Sequence, residues 1–194
     1  MGHDRGARVG HRMALDFEAR VTRLVSLDVV ATQHVFDHVD AAGARAYFHW
    51  FLMLQPAPLA ETLIGADPEF WLRWLVGRWC ATPGAITDEA MAEYVRCFRD
   101  PACVRATCED YRAAEYDLAL DEADRGRKLA IPVMVLWGRR QHHAGWPTTR
   151  VNVLATWRER AREVSGHRMD CGHFIPEEAP EDMLAAVIPF LEAP

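Results

Sequence analysis

Nowhere does the sequence run to about 18 consecutive apolar residues, the least that a membrane-spanning helix needs, so no span and no membrane partner is expected. The first ten residues, MGHDRGARVG, lack the apolar core of a secretory signal; secretion is not indicated and the expected setting is the cytoplasm. Positive charge is short, with 22 Lys+Arg against 28 Asp+Glu and a formal net charge of −6, which argues against a nucleic-acid partner. Cysteine is scarce. Cys80, Cys97, Cys103, Cys108 and Cys171 are odd in number and form no C-x-x-C pair, so they read as reduced thiols rather than a disulfide scaffold. His142 and His143 are adjacent with no cysteine near them, a poor spacing for zinc, and no metal site is expected. Apolar residues are not lacking: they make up 50% of the 194, ample for a core, so disorder is excluded. One globular domain with a small inserted subdomain fits the length.

Along the chain, Val9, Met13, Ala14 and Phe17 recur at helical spacing and predict a helix over 7–19 with those residues inward. Leu24, Val25, Leu27, Val29 and Val30 then read as a short buried parallel strand. Asp28 interrupts that run near its end and needs a partner, because burying a lone carboxylate is costly. Residues 41–125 carry almost no strand signal. Thr87 is a good N-cap for a helix whose apolar face is Met91, Tyr94, Val95 and Phe98; prolines punctuate the region, and Trp50, Trp71, Trp74 and Trp79 fall in it. Strand character returns at 131–137 (IPVMVLW), closed by Gly138, followed by a helix near Thr148–Arg162 and a strand near Val164–Met169. Pro180 opens a last helix with Met183, Leu184, Val187, Ile188 and Leu191 inward, which Pro189 is expected to kink or end early. This is an α/β pattern interrupted by a helical insert, yet the chain begins at a turn where a parallel sheet needs a central strand.

That turn is Gly2-His3-Asp4-Arg5-Gly6, the G-x-nucleophile-x-G form of a strand-to-helix elbow. The glycines allow a sharp turn that thrusts the middle side chain outward, and a carboxylate there can attack a saturated carbon to form an ester that water then hydrolyses. A glycine-rich turn with a solvated Asp fits the same five residues equally well. Near the other end, His173 in DCGHF follows the last strand and is a candidate general base, with a surface-loop histidine as the bland alternative. His167 competes with it but lies inside the strand. Asp28 can orient such a base, or simply cap a helix.

Taken together these pieces resemble the α/β-hydrolase superfamily and, within it, the haloacetate (fluoroacetate) dehalogenase family, over essentially the whole chain. GHDRGARVGHRMALD at 2–16 is similar to that family's elbow and following helix. The resemblance implies Asp4 as nucleophile, Asp28 as the acid and His173 as the base. It implies Arg5 and Arg8 as the pair that holds the substrate carboxylate, and His49, Trp50 and Tyr111 (in EDYRA) as the contacts to the leaving halide. Arginine offers planar paired donors to a carboxylate, and indole, phenol and imidazole donors can receive a halide.

The fold implied is an α/β-hydrolase core from 1–37 and 129–194 with a helical cap over 38–128. The activity implied is hydrolysis of a haloacetate through an aspartyl ester, with a small haloacid as substrate and neither cofactor nor metal. The elbow alone also fits an epoxide hydrolase or another hydrolase of the fold, and a non-catalytic remnant stands as a third reading. Family members carry strands and an oxyanion-hole loop before the elbow, and Met1 stands where they have Val. The resemblance therefore implies a core lacking its N-terminal part, through gene truncation or a GTG valine codon read as a start. Apolar faces left open by that loss favour a homodimer or poor solubility.

Overall fold

The computed structural model describes residues 1–139 and 151–193. In chain order the elements are β1 (Gly2–His3), α1 (Arg5–Asp16), β2 (Leu24–Leu27), α2 (Thr32–Asp37), α3 (Ala41–Ala46), α4 (Phe48–Met53), α5 (Leu59–Ala66), α6 (Pro68–Trp79), α7 (Asp88–Phe98), α8 (Pro101–Arg112), α9 (Ala114–Ala123), β3 (Leu129–Gly138), α10 (Val153–Arg158), β4 (Ala161–Met169), α11 (Ile175–Glu178) and α12 (Pro180–Glu192). The strands pair in parallel in the order β1-β2-β3-β4. No described helix is long and apolar enough to cross a membrane.

Side chains alternate across the sheet as the pleat requires. Leu24, Val133, Val135 and Trp137 join the larger core, shared with α1, α10 and the helical segment between β2 and β3. Val25, Leu27 and Leu136 point the other way, onto Met169, Cys171, Ile175, Met183 and Val187. Both faces are covered, which is why these strands read as nearly continuous apolar runs rather than alternating ones.

Four of the seven helices described within 41–123 start where capping residues stand. Asp40, Asp67, Thr87 and Asp100 each accept a backbone N–H in the first turn of the helix that follows, and Pro68 and Pro101 occupy first helical positions. The Thr87 cap and the burial of Met91 and Val95 bear out the helix predicted there, but of its predicted apolar face Tyr94 is exposed and Phe98 only partly buried.

Several expectations are corrected. The first helix spans Arg5–Asp16 rather than 7–19, and of the four predicted residues only Ala14 is buried: Ala7, Arg8, His11 and Leu15 share the buried side with it, while Val9, Met13 and Phe17, the last just beyond the helix, are exposed. Its first turn packs on Gly2, and that contact fixes which side faces inward. In α12 only Met183 and Val187 of the five predicted residues are buried; Leu184, Ile188 and Leu191 are about half exposed. Pro189 does not end α12 early, since only three residues follow it within the helix. Arg162, predicted helical, lies in β4, because α10 stops at Arg158. Residues 148–150 of that predicted helix, and His142 and His143, lie outside the described residues.

The register sets His3 beside Leu27, Leu27 beside Leu136 and Leu136 beside His167. The carboxyl ends of β1 and β2 therefore deliver Asp4 and Asp28 side by side, and the segment after β4 carries His173 back to them. Crevices at this end of a parallel sheet are where ligands bind.

Candidate active site

Asp4 occupies the turn between β1 and α1 with φ 47° and ψ −121°, a left-handed backbone that non-glycine residues rarely adopt. Gly2 makes the turn possible: a Cβ there would lie 2.4 Å from the Gly6 carbonyl oxygen and 2.6 Å from the Ala7 nitrogen. Gly6 has no such duty, since nothing lies within 4 Å of its would-be Cβ. Asp4 stands at the N-cap of α1 yet makes no capping hydrogen bond, so its carboxylate is not consumed by the helix.

Its partner is His173, whose Nε2 lies 3.5 Å from Asp4 Oδ2. The other ring nitrogen, Nδ1, donates to Asp28 Oδ2 at 2.7 Å, and Asp28 Oδ1 accepts the Gly138 N–H at 2.9 Å. Asp28 also has positive φ, 56°, and is fully buried; it orients the imidazole rather than capping α2, whose N-cap is Ala31. The competitor His167 is exposed on β4.

Charges follow from this geometry. Burial alone lowers the His173 pKa, but the hydrogen bonds and charges of Asp28 and Asp4 outweigh it and raise it to about 9. Burial pushes Asp4 upward, and the hydrogen bond and charge of His173, helped by Arg8, hold it instead well below the usual carboxylate range. Burial likewise pushes Asp28 up, against the pull of His173 and the Gly138 N–H.

Around this relay stand two arginines. Arg5 Nε donates to Asp110 Oδ2 at 2.8 Å, and its Nη2 reaches the Asp110 carbonyl and Asp117. Arg8 is buried; its Nη1 donates to the Val30 carbonyl at 2.8 Å and to Thr32 Oγ1 at 3.2 Å. Arg5 Nη1 and Arg8 Nε and Nη2 are buried with no acceptor among the described residues. Both guanidiniums lie over the Trp50 ring, at 5.8 and 4.7 Å, and Arg5 also lies over Tyr111.

An aromatic chain links the arginines to His173. The rings of Trp50 and Tyr111 are 5.8 Å apart, Tyr111 and His49 5.9 Å, His49 and Trp79 4.7 Å, and Trp79 and His173 5.6 Å. Trp50 Nε1 and His49 Nδ1 are buried without an acceptor among the described residues. Burial lowers the His49 pKa to about 4 and pushes the Tyr111 hydroxyl well up, so both are neutral donors at neutral pH. All eight residues predicted from the sequence are thus brought to one end of the sheet.

Residues that the sequence reading did not single out also belong here. Tyr47 packs on His49 and Trp50; Trp79 lies between His49 and His173; His3 donates from Nε2 to the His173 carbonyl at 2.8 Å. His3 stands inside the elbow motif, and Trp79 in the tryptophan-rich stretch, so both were visible as features without a role. Among the described residues no cluster of three or more His, Cys, Asp or Glu is placed to hold a metal ion.

A parallel sheet presenting an aspartate, a histidine and a second acid at its carboxyl ends defines a class, and the alpha/beta hydrolase fold family model matches residues 1–180; the chain belongs to that family. It is similar to fluoroacetate dehalogenase of Burkholderia sp., at 38% identity over 98% of this chain and 62% of that protein. It is also similar to soluble epoxide hydrolase of Corynebacterium sp. (strain C12), at 29% identity over 98% of this chain and 65% of that one. Among solved structures, one from Nostoc sp PCC 7120, described as an alpha/beta hydrolase, matches with TM-score 0.94 and 49% identity over 100% of this chain and 65% of that one. The chain thus spans just under two thirds of the length of the relatives it matches.

Proposed function

We propose that this chain carries the active site of a hydrolase that cleaves the carbon–halogen bond of a haloacetate through an ester on Asp4. The observation that carries the reading is the relay: a carboxylate on a strained, uncapped turn, 3.5 Å from an imidazole that is itself 2.7 Å from a buried acid. In the first step an Asp4 oxygen attacks the halogen-bearing carbon, the carbon–halogen bond breaks, and the halide leaves with the bonding pair. Trp50, His49 and Tyr111 receive the charge as it develops. In the second step His173, oriented by Asp28, takes a proton from water. The hydroxide so formed adds to the Asp4 carboxyl carbon, and the bond from that carbon to the ester oxygen breaks. The departing alkoxide takes the proton back from His173 to leave as the hydroxyacid, and the Asp4 carboxyl gives up its proton to solvent to restore the carboxylate. The Arg5 N–H, in the first turn of α1, helps hold the oxyanion.

Arg5 and Arg8 support an anionic substrate over a neutral epoxide. Buried guanidinium donors without acceptors are costly, and a small carboxylate between them supplies acceptors. The similarity to a fluoroacetate dehalogenase supports the same substrate class. In this reading residues 38–128 act as the cap over the site, and the protein works in the cytoplasm on a small haloacid.

The test is His173→Asn with fluoroacetate or chloroacetate. About one halide per active site is expected, followed by arrest and a trapped mass gain on Asp4. Diol formed from styrene oxide without halide release from a haloacetate points instead to an epoxide hydrolase. No burst and no mass gain on Asp4 refutes the covalent mechanism.

A further inference from the structure

Glu178, five residues after the base, closes α11 with a carboxylate that does nothing in the chemistry above. Its Oε2 accepts the backbone N–H groups of Ala81 at 2.8 Å, Thr82 at 3.0 Å and Gly172 at 2.9 Å, and its Oε1 accepts that of Phe174 at 2.9 Å. Two of these groups flank His173 on either side. The other two belong to the turn that follows α6, some 96 residues away in sequence.

The same segment is gripped twice more, by the His173 N–H donating to the Trp79 carbonyl at 3.1 Å and by His3 Nε2 donating to the His173 carbonyl. It is packed too closely for even a methyl group: a Cβ on Gly172 would lie 2.5 Å from the Trp79 carbonyl oxygen, 2.7 Å from the Ala81 nitrogen and 2.8 Å from Glu178 Oε1. Glu177 adds a second tie, accepting the Tyr94 hydroxyl of α7.

The segment from 170 to 174 has no helix or strand of its own. Its backbone N–H groups therefore depend on such acceptors, and where they sit decides where the imidazole points. We propose that Glu178 is a positioning residue for the base: one carboxylate gathers the N–H groups on both sides of His173 and those of the Ala81–Thr82 turn, which sets the aim of the imidazole on Asp4 and ties it to the seating of the helical segment. The inference rests on His173 being the base proposed above.

Its test needs no substrate. The full chain is labelled with nitrogen-15 histidine, and the Nδ1–H signal of His173, bonded to Asp28, is followed by NMR in wild type, Glu178→Gln and Ile64→Ala. Ile64 lies in the core on α5 and serves as a destabilised control. Glu178→Gln is expected to fold, by circular dichroism, yet to exchange that proton with solvent about tenfold faster, because a carboxamide keeps one acceptor oxygen where two were used. Ile64→Ala is expected to leave the exchange unchanged.

Wild-type exchange in Glu178→Gln overturns the proposal, as does equal acceleration in Ile64→Ala, which marks a mere stability effect. Where Glu178→Gln does not fold, Glu178→Asp, which draws the carboxylate back from the same four groups, is read in the same way. The halide burst judges the base reading separately, so failure of one is not failure of the other.

Discussion

His173 sits between two carboxylates, and that makes its proton depend on the state of Asp4. With a pKa of about 9 it is an imidazolium in the resting site at neutral pH and cannot act as a base. In the proposed mechanism, esterification of Asp4 would abolish one of the two charges that hold the proton, so the first chemical step would prepare His173 for the second. Asp4→Asn imitates that neutralisation. It is expected to lower the His173 pKa clearly below about 9 in an NMR titration, and an unchanged titration would sink the coupling. The sign for stability follows: the raised pKa contributes stability that is complete below about 6.5, the unfolded value, and is lost as pH rises through about 9. Arg8 makes a second residue-scale case. Arg8→Met removes the proposed carboxylate contact, worth about 1.5–3 kcal/mol, and also strands the Val30 carbonyl, at a further cost of about 1–3 kcal/mol in stability. Folding is therefore not spared, and Arg8→Lys is the cleaner probe: kcat/KM for haloacetate is expected to fall about tenfold or more with a smaller change in Tm. Asp4, Asp28 and His173 were legible in the sequence because each stands in a short local pattern at a strand end. Glu178 was not, because its four partners are backbone groups, two of them in the turn after α6, and no side-chain pattern records them.

At the scale of elements, the elbow separates two glycines that look alike in the motif. Gly2→Ala drives a methyl into the Gly6 carbonyl, so it is expected to displace the turn and abolish halide release from a haloacetate. Gly6→Ala meets open space within α1 and is expected to raise stability by about 0.5–1 kcal/mol, read as a higher Tm with activity retained. Equal effects of the two changes would refute this account of the turn. The elbow also explains why periodicity misplaced α1. The rule assumes that apolar residues choose the inward face, whereas here the close packing of Gly2 on the first turn fixes the rotation and buries Arg8 and His11 instead. The rotation is legible only once the turn is known. In α12 the apolar stripe is wider than the surface available, so Met183 and Val187 take the core and Leu184, Ile188 and Leu191 remain half exposed. Strand positions fared better, because β2 and β3 are buried on both faces and announce themselves as apolar runs, although β2 stops at Leu27 and the predicted Val29 and Val30 lie beyond the positive-φ turn at Asp28.

For the whole molecule, exposure and charge lead to two expectations. Among the described residues β1 is an edge of the sheet, and α1 and the residue after it present Val9, Met13 and Phe17 to solvent. Self-association is expected, read as a concentration-dependent mass in sedimentation, and Met13→Glu is expected to weaken it without touching the relay. A mass that stays monomeric at all concentrations refutes it. The second expectation concerns acid. His11 and His49 are buried and His3 is partly buried, and burial lowers each pKa to about 4; partly buried His34, stacked on His38, is lowered in the same direction. Between about 4 and 6.5 the unfolded chain therefore holds protons that the native chain does not, and stability rises with pH across that window. His173 is silent there, since both states keep its proton. Three histidines acting together give a slope of at most about 4 kcal/mol per pH unit near the middle of the window, and Asp28, whose pKa is raised by burial, works against them. A domain with the usual stability of about 5–15 kcal/mol cannot sustain that slope for long, so cooperative unfolding is expected between roughly pH 4 and 5.5. Urea midpoints taken in small pH steps from 6.5 downward measure the slope directly. A value corresponding to one proton or fewer would mean that these histidines accept protons without leaving the folded state, and that the interior around the active site is wetter than its packing implies.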